Sequence, residues 1–201
     1  MKICILFDYD QNANENTKMI FINSIYAYIN AFLELNTHNT FILVNNKQIF
    51  FDSSKNTTYK DVLKINTVPI TAGDIGYALL LEPSYILVCS MFGDSLKYID
   101  LIKCISAAIE LNIKIDVFCT KPSTYWKLLA KGTSGIFIEN DFVSLIKSLG
   151  GKTLKNTLEV NAKCFCCNKD VKLGQCCPIC LAIFCKFTPI CKCCKTKFNF
   201  T

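Results

Sequence analysis

Arginine is absent from this chain, whose 22 basic residues are all lysines, and histidine occurs once, as His38. Without arginine the chain lacks the planar, two-pronged donor that dominates base readout in DNA and charge stabilisation in phosphoryl transfer. His38 lies in a polar loop with no cysteine beside it, so acid–base or Cys–His catalysis has little support. The 8 glycines form no phosphate-binding loop, because Thr71–Gly76 lacks the lysine of that motif. These absences argue against an enzyme.

The sequence also shows neither a secretion signal nor a membrane-spanning segment. The longest apolar stretch, Met19–Leu35, is interrupted by Asn23, Ser24 and Asn30 and falls short of the ~20 apolar residues that a spanning helix needs. The apolar run Lys2–Phe7 leads directly into an acidic turn, unlike a signal peptide. We therefore expect a soluble intracellular protein with no membrane partner, in which clustered cysteines bind metal rather than form disulfides.

Cysteine is abundant, with 14 copies that are concentrated near the end of the chain. A C-x2-C pair closes a turn that points two thiolates at one tetrahedral ion. We predict that the tail binds one or two zinc ions through eight ligands: Cys164, Cys166, Cys167, Cys177, Cys180, Cys185, Cys191 and Cys194. The cysteines before residue 150 lie in apolar segments and are expected to be small buried hydrophobic residues: Cys4, Cys89, Cys104 and Cys119.

The spacing leaves the pairing of these eight ligands open. In a cross-braced arrangement the last two C-x2-C pairs share one ion, which groups Cys177, Cys180, Cys191 and Cys194, and the other four ligands share the second. In a sequential arrangement the first ion takes Cys164, Cys167, Cys177 and Cys180. In either case a segment of about forty residues has too small a core to fold alone, so metal must supply folding energy.

Residues 1–150 alternate short apolar runs with helical patterns. Continuous apolar runs are typical of strands buried on both faces of a parallel sheet. The predicted strands are Lys2–Phe7, Phe41–Asn45, Ile49–Asp52, Tyr85–Ser90, Lys114–Thr120 and Gly135–Glu139. The predicted helices are Thr17–Leu35, Ala72–Leu81, a segment capped by Asp94, Ser123–Lys131 and Phe142–Leu149. The third helix is expected to have one apolar face, formed by Tyr98, Ile102, Ile105 and Ile109. This order predicts an α/β fold with a doubly wound, mainly parallel sheet.

The composition of the chain changes near residue 150. We predict a domain over 1–150, a polar linker over 151–163 and a small zinc-binding module over 164–201. Residues 1–150 are nearly neutral, whereas residues 151–201 hold nine lysines and two acidic residues. A basic segment suggests nucleic acid, but eight thiolates on two zinc ions would remove about four units of that charge. A solvated lysine-rich face is therefore favoured over a dedicated nucleic-acid surface.

The most specific pattern in the tail is the string Cys177-x2-Cys180-Leu181-x-Ile183-Phe184-Cys185. It is accompanied by Cys164-Phe165-Cys166, Gly174, Phe187, Pro189-Ile190-Cys191-x2-Cys194 and the closing Lys195–Phe198. Together these residues resemble the zinc module of the thirty-four-kilodalton subunit family of general transcription factor TFIIH. Residues 1–150 look like the von Willebrand factor A-like, Rossmann-like domain that precedes the module in that family. Members often have histidine at the position of Cys167, where a thiolate is an equally good zinc ligand.

The resemblance also points to a possible metal site in the A-type domain. In such domains the loop after the first strand holds a metal ion, and the matching residues are Asp8, Asp10 and Asn12. Both serines of the motif are missing, Thr71 matches its threonine, and the aspartate expected after the fourth strand is displaced to Asp94. Because Mg²⁺ needs a nearly complete octahedron of oxygen ligands, we predict no working site. Asp8 and Asp10 are instead expected to cap the following helix and solvate the loop.

The resemblance implies a non-catalytic scaffold subunit of the TFIIH core, which acts in RNA polymerase II transcription initiation and nucleotide excision repair in the nucleus. Its expected partners are other core subunits, chiefly a second A-type, zinc-containing subunit, with nucleic acid contacted at most indirectly. The alternative is a zinc ribbon that binds nucleic acid directly. The module is predicted to expose more apolar residues than it can bury, and some should dock on a partner or on the A-type domain. These residues are Ile183, Phe184, Phe187, Ile190, Phe198 and Phe200.

Overall fold

The structure is a computed structural model that describes residues 1–55, 67–93, 96–121, 123–149, 162–171 and 174–197. The predicted helix cap at Asp94, most of the predicted linker, and Phe198 and Phe200 lie outside these residues. Within the described ranges, no helix combines the length and the apolar character that crossing a membrane requires.

Six strands form one sheet in the first part of the chain. They are β1 (Lys2–Phe7), β2 (Thr40–Asn45), β3 (Gln48–Asp52), β4 (Tyr85–Ser90), β5 (Ile115–Cys119) and β6 (Phe137–Glu139). Their order across the sheet is β3-β2-β1-β4-β5-β6. Only β2 and β3 are antiparallel, and they are joined through Asn46 and Lys47, both with positive φ as a tight hairpin turn requires. The order reverses between β1 and β4, which confirms the predicted doubly wound, mainly parallel fold.

Helices cover both faces of this sheet. They are α1 (Glu15–Leu35), α2 (Ala72–Leu80), α3 (Tyr98–Glu110), α4 (Thr124–Gly132) and α5 (Phe142–Ser148). Side chains of β1 alternate between two cores: Cys4 and Leu6 pack with α2, α3 and α4, whereas Ile3, Ile5 and Phe7 pack with α1 and α5. Because both faces are covered, the strands are continuous apolar runs. The four cysteines expected to be buried hydrophobic residues are all buried.

The buried face of α3 differs from the predicted apolar face. Leu101, Cys104, Ile105 and Ala108 are buried, whereas Ile109 is 58% exposed. The observed face is turned by about one residue, and α3 contacts the neighbouring helices α2 and α4. Apolar residues occur on both sides of this helix, and periodicity alone therefore did not identify the side that packs.

The tail forms two small antiparallel hairpins. Strand β7 (Ala162–Lys163) pairs with β8 (Asp170–Val171), and β9 (Gln175–Cys176) pairs with β10 (Ile183–Phe184). Farther along, a single antiparallel bridge joins Ile190 and Lys197. The buried apolar cluster of this part consists of Cys177, Cys180, Ala182, Phe184 and Cys191. Three of these five residues are predicted metal ligands, so there is little core without them.

Candidate metal centres

The eight cysteines predicted as ligands come together in two groups of four. Within each group all four Sγ atoms lie within 4.8 Å of one another. The first group is Cys164, Cys166, Cys167 and Cys185, and the second group is Cys177, Cys180, Cys191 and Cys194. Cys185 of the first group lies in the sequence between the two C-x2-C pairs of the second. Of the two arrangements left open by the spacing, the structure therefore has the cross-braced one.

The geometry of the second group fits a tetrahedral ion. Zn–S bonds of about 2.3 Å place the sulfurs of a tetrahedral site about 3.8 Å apart. Cys177 Sγ and Cys194 Sγ are 3.7 Å apart, and Cys180 Sγ and Cys191 Sγ are 3.6 Å apart. Three of the four cysteines are buried. Disulfide sulfurs would be about 2.05 Å apart, so the group has the spacing of metal ligands and not of cross-links.

The first group lies nearer the surface, and two of its sulfur distances match this spacing whereas a third is shorter. Cys185 Sγ is 3.6 Å from Cys166 Sγ and 3.8 Å from Cys167 Sγ, while Cys164 Sγ and Cys166 Sγ are 3.0 Å apart. The backbone N–H groups of Cys166 and Cys185 donate to Cys164 Sγ at 3.4 and 3.2 Å. Hydrogen bonds from the Cys166 side chain and from these N–H groups lower the pKa of Cys164 to about 6. The thiolate, which is the form that binds metal, is thus favoured at Cys164, whereas hydrogen bonds to Cys164 raise the pKa of Cys166 and Cys185.

One backbone turn, repeated three times, positions most of these sulfurs. It begins at Cys164, Cys177 and Cys191, and each cysteine N–H donates to the carbonyl five residues later at 2.8 or 2.9 Å. Each cysteine carbonyl accepts from the N–H four residues later, at 2.8 or 2.9 Å. The turn brings residues i and i+3 to the same side, so it supplies a C-x2-C pair each time, including Cys164 with Cys167. The residue after each pair has positive φ: Asn168 (55°), Leu181 (62°) and Lys195 (63°).

Glycine is needed at position 174, because strand β10 passes close to the backbone there. A Cβ at this position would lie 2.6 Å from Ile183 Cγ2 and 3.1 Å from the carbonyl oxygen of Phe184. Both atoms belong to β10, the strand that leads into Cys185. A side chain at residue 174 would therefore displace the strand that carries one ligand of the first group.

The rim of the sheet just after β1, where the sequence predicts no working metal site, is held together by hydrogen bonds. Asp8 is fully buried, and it accepts from Ile70 N–H at 2.9 Å, Met91 N–H at 2.8 Å and Ser90 Oγ–H at 2.9 Å. Burial raises the pKa of Asp8 to about 6 against the opposing effect of these donors. The expectation that Asp8 and Asp10 cap the following helix is wrong, because Asn14 is the N-cap of α1. Asp8 instead ties three chain segments together.

The other candidate oxygen ligands of this rim also have protein partners. Asp10 Oδ2 is 3.1 Å from Lys121 Nζ, which lowers the pKa of Asp10. Thr71 Oγ1 donates to Asp74 Oδ2 at 2.6 Å, and the same oxygen accepts the Thr71 N–H at 2.8 Å in the capping box of α2. Neither Lys121 nor the bonds of Asp8 were predicted, because the partners are more than sixty residues apart in the sequence. Among the described residues, only the two cysteine groups have the proximity of metal ligands.

The second cysteine group is flanked by an apolar groove of about 370 Å³. Pro178, Phe184 and Phe187 contribute to its lining. Phe184 was expected to be exposed, but it is buried, because β10 turns it into the small core of the module. Phe187 and Ile190 remain 53% and 49% exposed, as the prediction of an apolar module surface requires.

Together these features define a class of protein: an A-type α/β domain joined to a cysteine-rich module with two potential metal sites. No family model matches the chain. The crystal structure of the TFIIH p34 N-terminal domain has a TM-score of 0.53 and 17% identity, over 74% of this chain and 95% of that one. The VWA domain of SpRpn10 has a TM-score of 0.54 and 13% identity, over 76% of this chain and 95% of that one. These likenesses show the von Willebrand factor A-like fold.

Curated proteins that match in sequence include two TFIIH subunits. General transcription factor IIH subunit 3 of Dictyostelium discoideum is 31% identical over 132 residues, which are 57% of this chain and 35% of that protein. General transcription and DNA repair factor IIH subunit tfb4 of Schizosaccharomyces pombe is 33% identical over 132 residues, which are 58% of this chain and 44% of that protein. The chain thus spans less than half the length of these relatives. They confirm the resemblance to the thirty-four-kilodalton subunit family of TFIIH.

Proposed function

We propose that this chain is a non-catalytic scaffold subunit of a TFIIH core complex, acting in RNA polymerase II transcription initiation and nucleotide excision repair in the nucleus. One combination of features carries the proposal: an A-type fold and two cross-braced groups of four cysteines, in a chain whose curated relatives are TFIIH subunits by name. Its chief partner is a second A-type, zinc-containing subunit, and its further partners are other core subunits of the same complex.

The metal in this proposal is zinc, bound by the two four-cysteine groups. Zinc suits an all-sulfur, tetrahedral ligand set, whereas Mg²⁺ and Ca²⁺ require oxygen ligands. The buried sulfurs of the second group and the N–H donors to Cys164 Sγ support this assignment. Under the proposal, residues 1–150 are the A-type domain, residues 151–163 the linker and residues 164–201 the zinc module.

Protein binding in this proposal uses surfaces and no catalytic group. The first two cysteine turns and the segment before the third display large apolar side chains: Phe165 is 44% exposed, Ile179 67%, Phe187 53% and Ile190 49%. Ile179 lies inside the Cys177–Cys180 turn, so zinc at that turn fixes the side chain that a partner would cover. Burying a large apolar side chain is worth about 1.5–3 kcal/mol each.

The experiment that tests the function is purification of the tagged chain from its own cells, with quantitative mass spectrometry of the proteins that accompany it. Recovery of helicase and A-type subunits in near-equal amounts is the expected result. The matched comparison is a Phe187→Ser and Ile190→Ser variant, which keeps every cysteine and should recover less of its partners. Recovery of the wild-type chain alone would contradict the scaffold function.

Direct binding of nucleic acid is the second candidate, because the module exposes five lysines: Lys169, Lys186, Lys192, Lys195 and Lys197. Electrostatic binding to DNA weakens steeply with salt, with a slope that counts the phosphates contacted. Four units of negative charge from the two zinc–thiolate centres offset most of this lysine charge. We therefore expect weak DNA affinity with a shallow salt dependence. A steep slope in a filter-binding titration of the zinc-loaded chain would favour this candidate over the scaffold.

A further inference from the structure

The two groups of four cysteines differ in how far solvent reaches their sulfurs. In the first group only Cys164 is buried, whereas Cys166, Cys167 and Cys185 are exposed. In the second group three cysteines are buried and the fourth is partly exposed. Thiolates in contact with solvent react and exchange, whereas buried structural cysteines are inert. A competing ligand can therefore approach an ion in the first group, while the second group shields its ion.

The second group is complete within one short segment. The backbone bonds that close its two turns lie there, since the N–H of Cys177 donates to the Ala182 carbonyl at 2.9 Å and the N–H of Cys191 to the Thr196 carbonyl at 2.8 Å. Its buried cluster consists of Ala182, Phe184 and three of its own cysteines. Ligands, turns and core of this group thus come from the same stretch of chain.

The first group takes one of its ligands from that stretch. Three of its cysteines lie in a single four-residue turn, and the fourth, Cys185, directly follows β10. The turn is fastened to this strand, because Phe165 N–H donates to the Ile183 carbonyl at 2.8 Å and Cys185 N–H donates to Cys164 Sγ at 3.2 Å. The first turn is therefore attached to the outside of a hairpin that has its own ligands and core.

We propose that the second group is a permanent structural zinc centre and that the first is an exchangeable one, which can lose its ion while the second stays folded and loaded. Metal binding supplies folding energy only to the part of the chain that it ties together. The first ion ties a surface turn to β10, whereas the second holds the buried cluster. This inference rests on the proposed function only in requiring that zinc is the metal of both groups.

Exchange at the first centre changes one part of the apolar surface. Phe165 lies in the first turn, is 44% exposed and meets the Phe184 ring edge-on with centroids 6.0 Å apart. Loss of the first ion releases this turn and the position of Phe165 with it. Ile179 and Ile190 lie within or next to turns of the second group and keep their positions. The contribution of Phe165 to a protein interface thus depends on zinc in the first centre.

Release of zinc from the full-length chain to the dye pyridylazoresorcinol tests this difference. The wild type should release its zinc in two phases, each of about one ion per chain. Cys167→Ser should abolish the fast phase and keep the slow one, since it removes a ligand of the first centre alone. Cys167→His is the matched control and should keep both phases, because imidazole is also a zinc ligand.

Thiol alkylation after the fast phase, located by mass spectrometry, identifies which centre has been emptied. Cys166 and Cys185 should be labelled while Cys180 and Cys191 remain protected. Release of both ions in one phase, or labelling of Cys180 together with Cys185, would overturn the inference. A wild-type chain without zinc would overturn it together with the proposed metal centres. Two-phase release from a chain that recovers no TFIIH subunits would instead contradict only the scaffold function.

Discussion

Single cysteines differ sharply in what they contribute to the module, although the sequence presents them side by side. Cys180 is in the buried cluster with its Sγ 3.6 Å from Cys191 Sγ, whereas Cys193 is partly exposed and outside both groups. Spacing predicted the eight ligands but not their grouping into two sets of four, because that grouping depends on where the chain places Cys185. The cross-braced path is a long-range property that no local pattern encodes.

Cys180→Ser should release the zinc of the second group and unfold the module, because a serine hydroxyl is a poor substitute for a thiolate ligand. The expected loss is about one zinc per chain, measured by elemental analysis of the purified protein. Cys193→Ser is the control and should retain all of its zinc. Full zinc content and normal partner recovery in the Cys180→Ser variant would show that this ligand assignment is incorrect.

Asp8 gives the A-type domain a pH dependence of defined sign. Its folded pKa of about 6 lies above its ordinary value of 3.8, so its contribution to stability is present below pH 3.8 and is lost as the pH rises through 6. The difference corresponds to about 3 kcal/mol of unfolding free energy. Asp8→Asn should remove this dependence between pH 4 and 7, as measured by urea denaturation. A variant with the same pH profile as the wild type would contradict the raised pKa.

At the scale of elements, strands were easier to predict than the packing of helices. The bounds of β1 and β4 were predicted to the residue, because strands buried on both faces are uninterrupted apolar runs. In α3 the apolar residues surround much of the helix, and the choice of buried side depends on the shapes of α2 and α4. The cysteine turns could not be predicted from the residue types either, because Leu181 and Lys195 adopt positive φ angles that such residues rarely take.

The face of α3 can be tested with two substitutions in the same helix. Leu101 is fully buried, so Leu101→Ala should lower the free energy of unfolding by about 2–5 kcal/mol through a cavity in the core. Ile109 is 58% exposed, and Ile109→Ala should change it by no more than about 0.5 kcal/mol. Denaturation midpoints of both variants provide the measurement. Equal destabilisation of the protein by the two substitutions would contradict the observed buried face and favour the face predicted from periodicity.

At the scale of the whole molecule, the two parts of the chain owe their stability to different causes. The A-type domain has two extensive apolar cores, one on each face of its sheet, whereas the buried cluster of the module consists largely of its predicted metal ligands. A core that small cannot offset the conformational entropy of an ordered segment. Removing metal should therefore unfold one part of the molecule and leave the other folded.

Trp126 makes this separation measurable, because it is the only tryptophan of the chain and is fully buried in α4. A strong chelator should release the zinc and make the cysteine ligands reactive to a thiol reagent, while the fluorescence maximum of Trp126 stays that of a buried indole. Thermal unfolding followed by Trp126 should keep its transition after chelation, because the core around α4 contains no metal ligand. A red shift of the emission on chelation would mean that the domain depends on its module for folding.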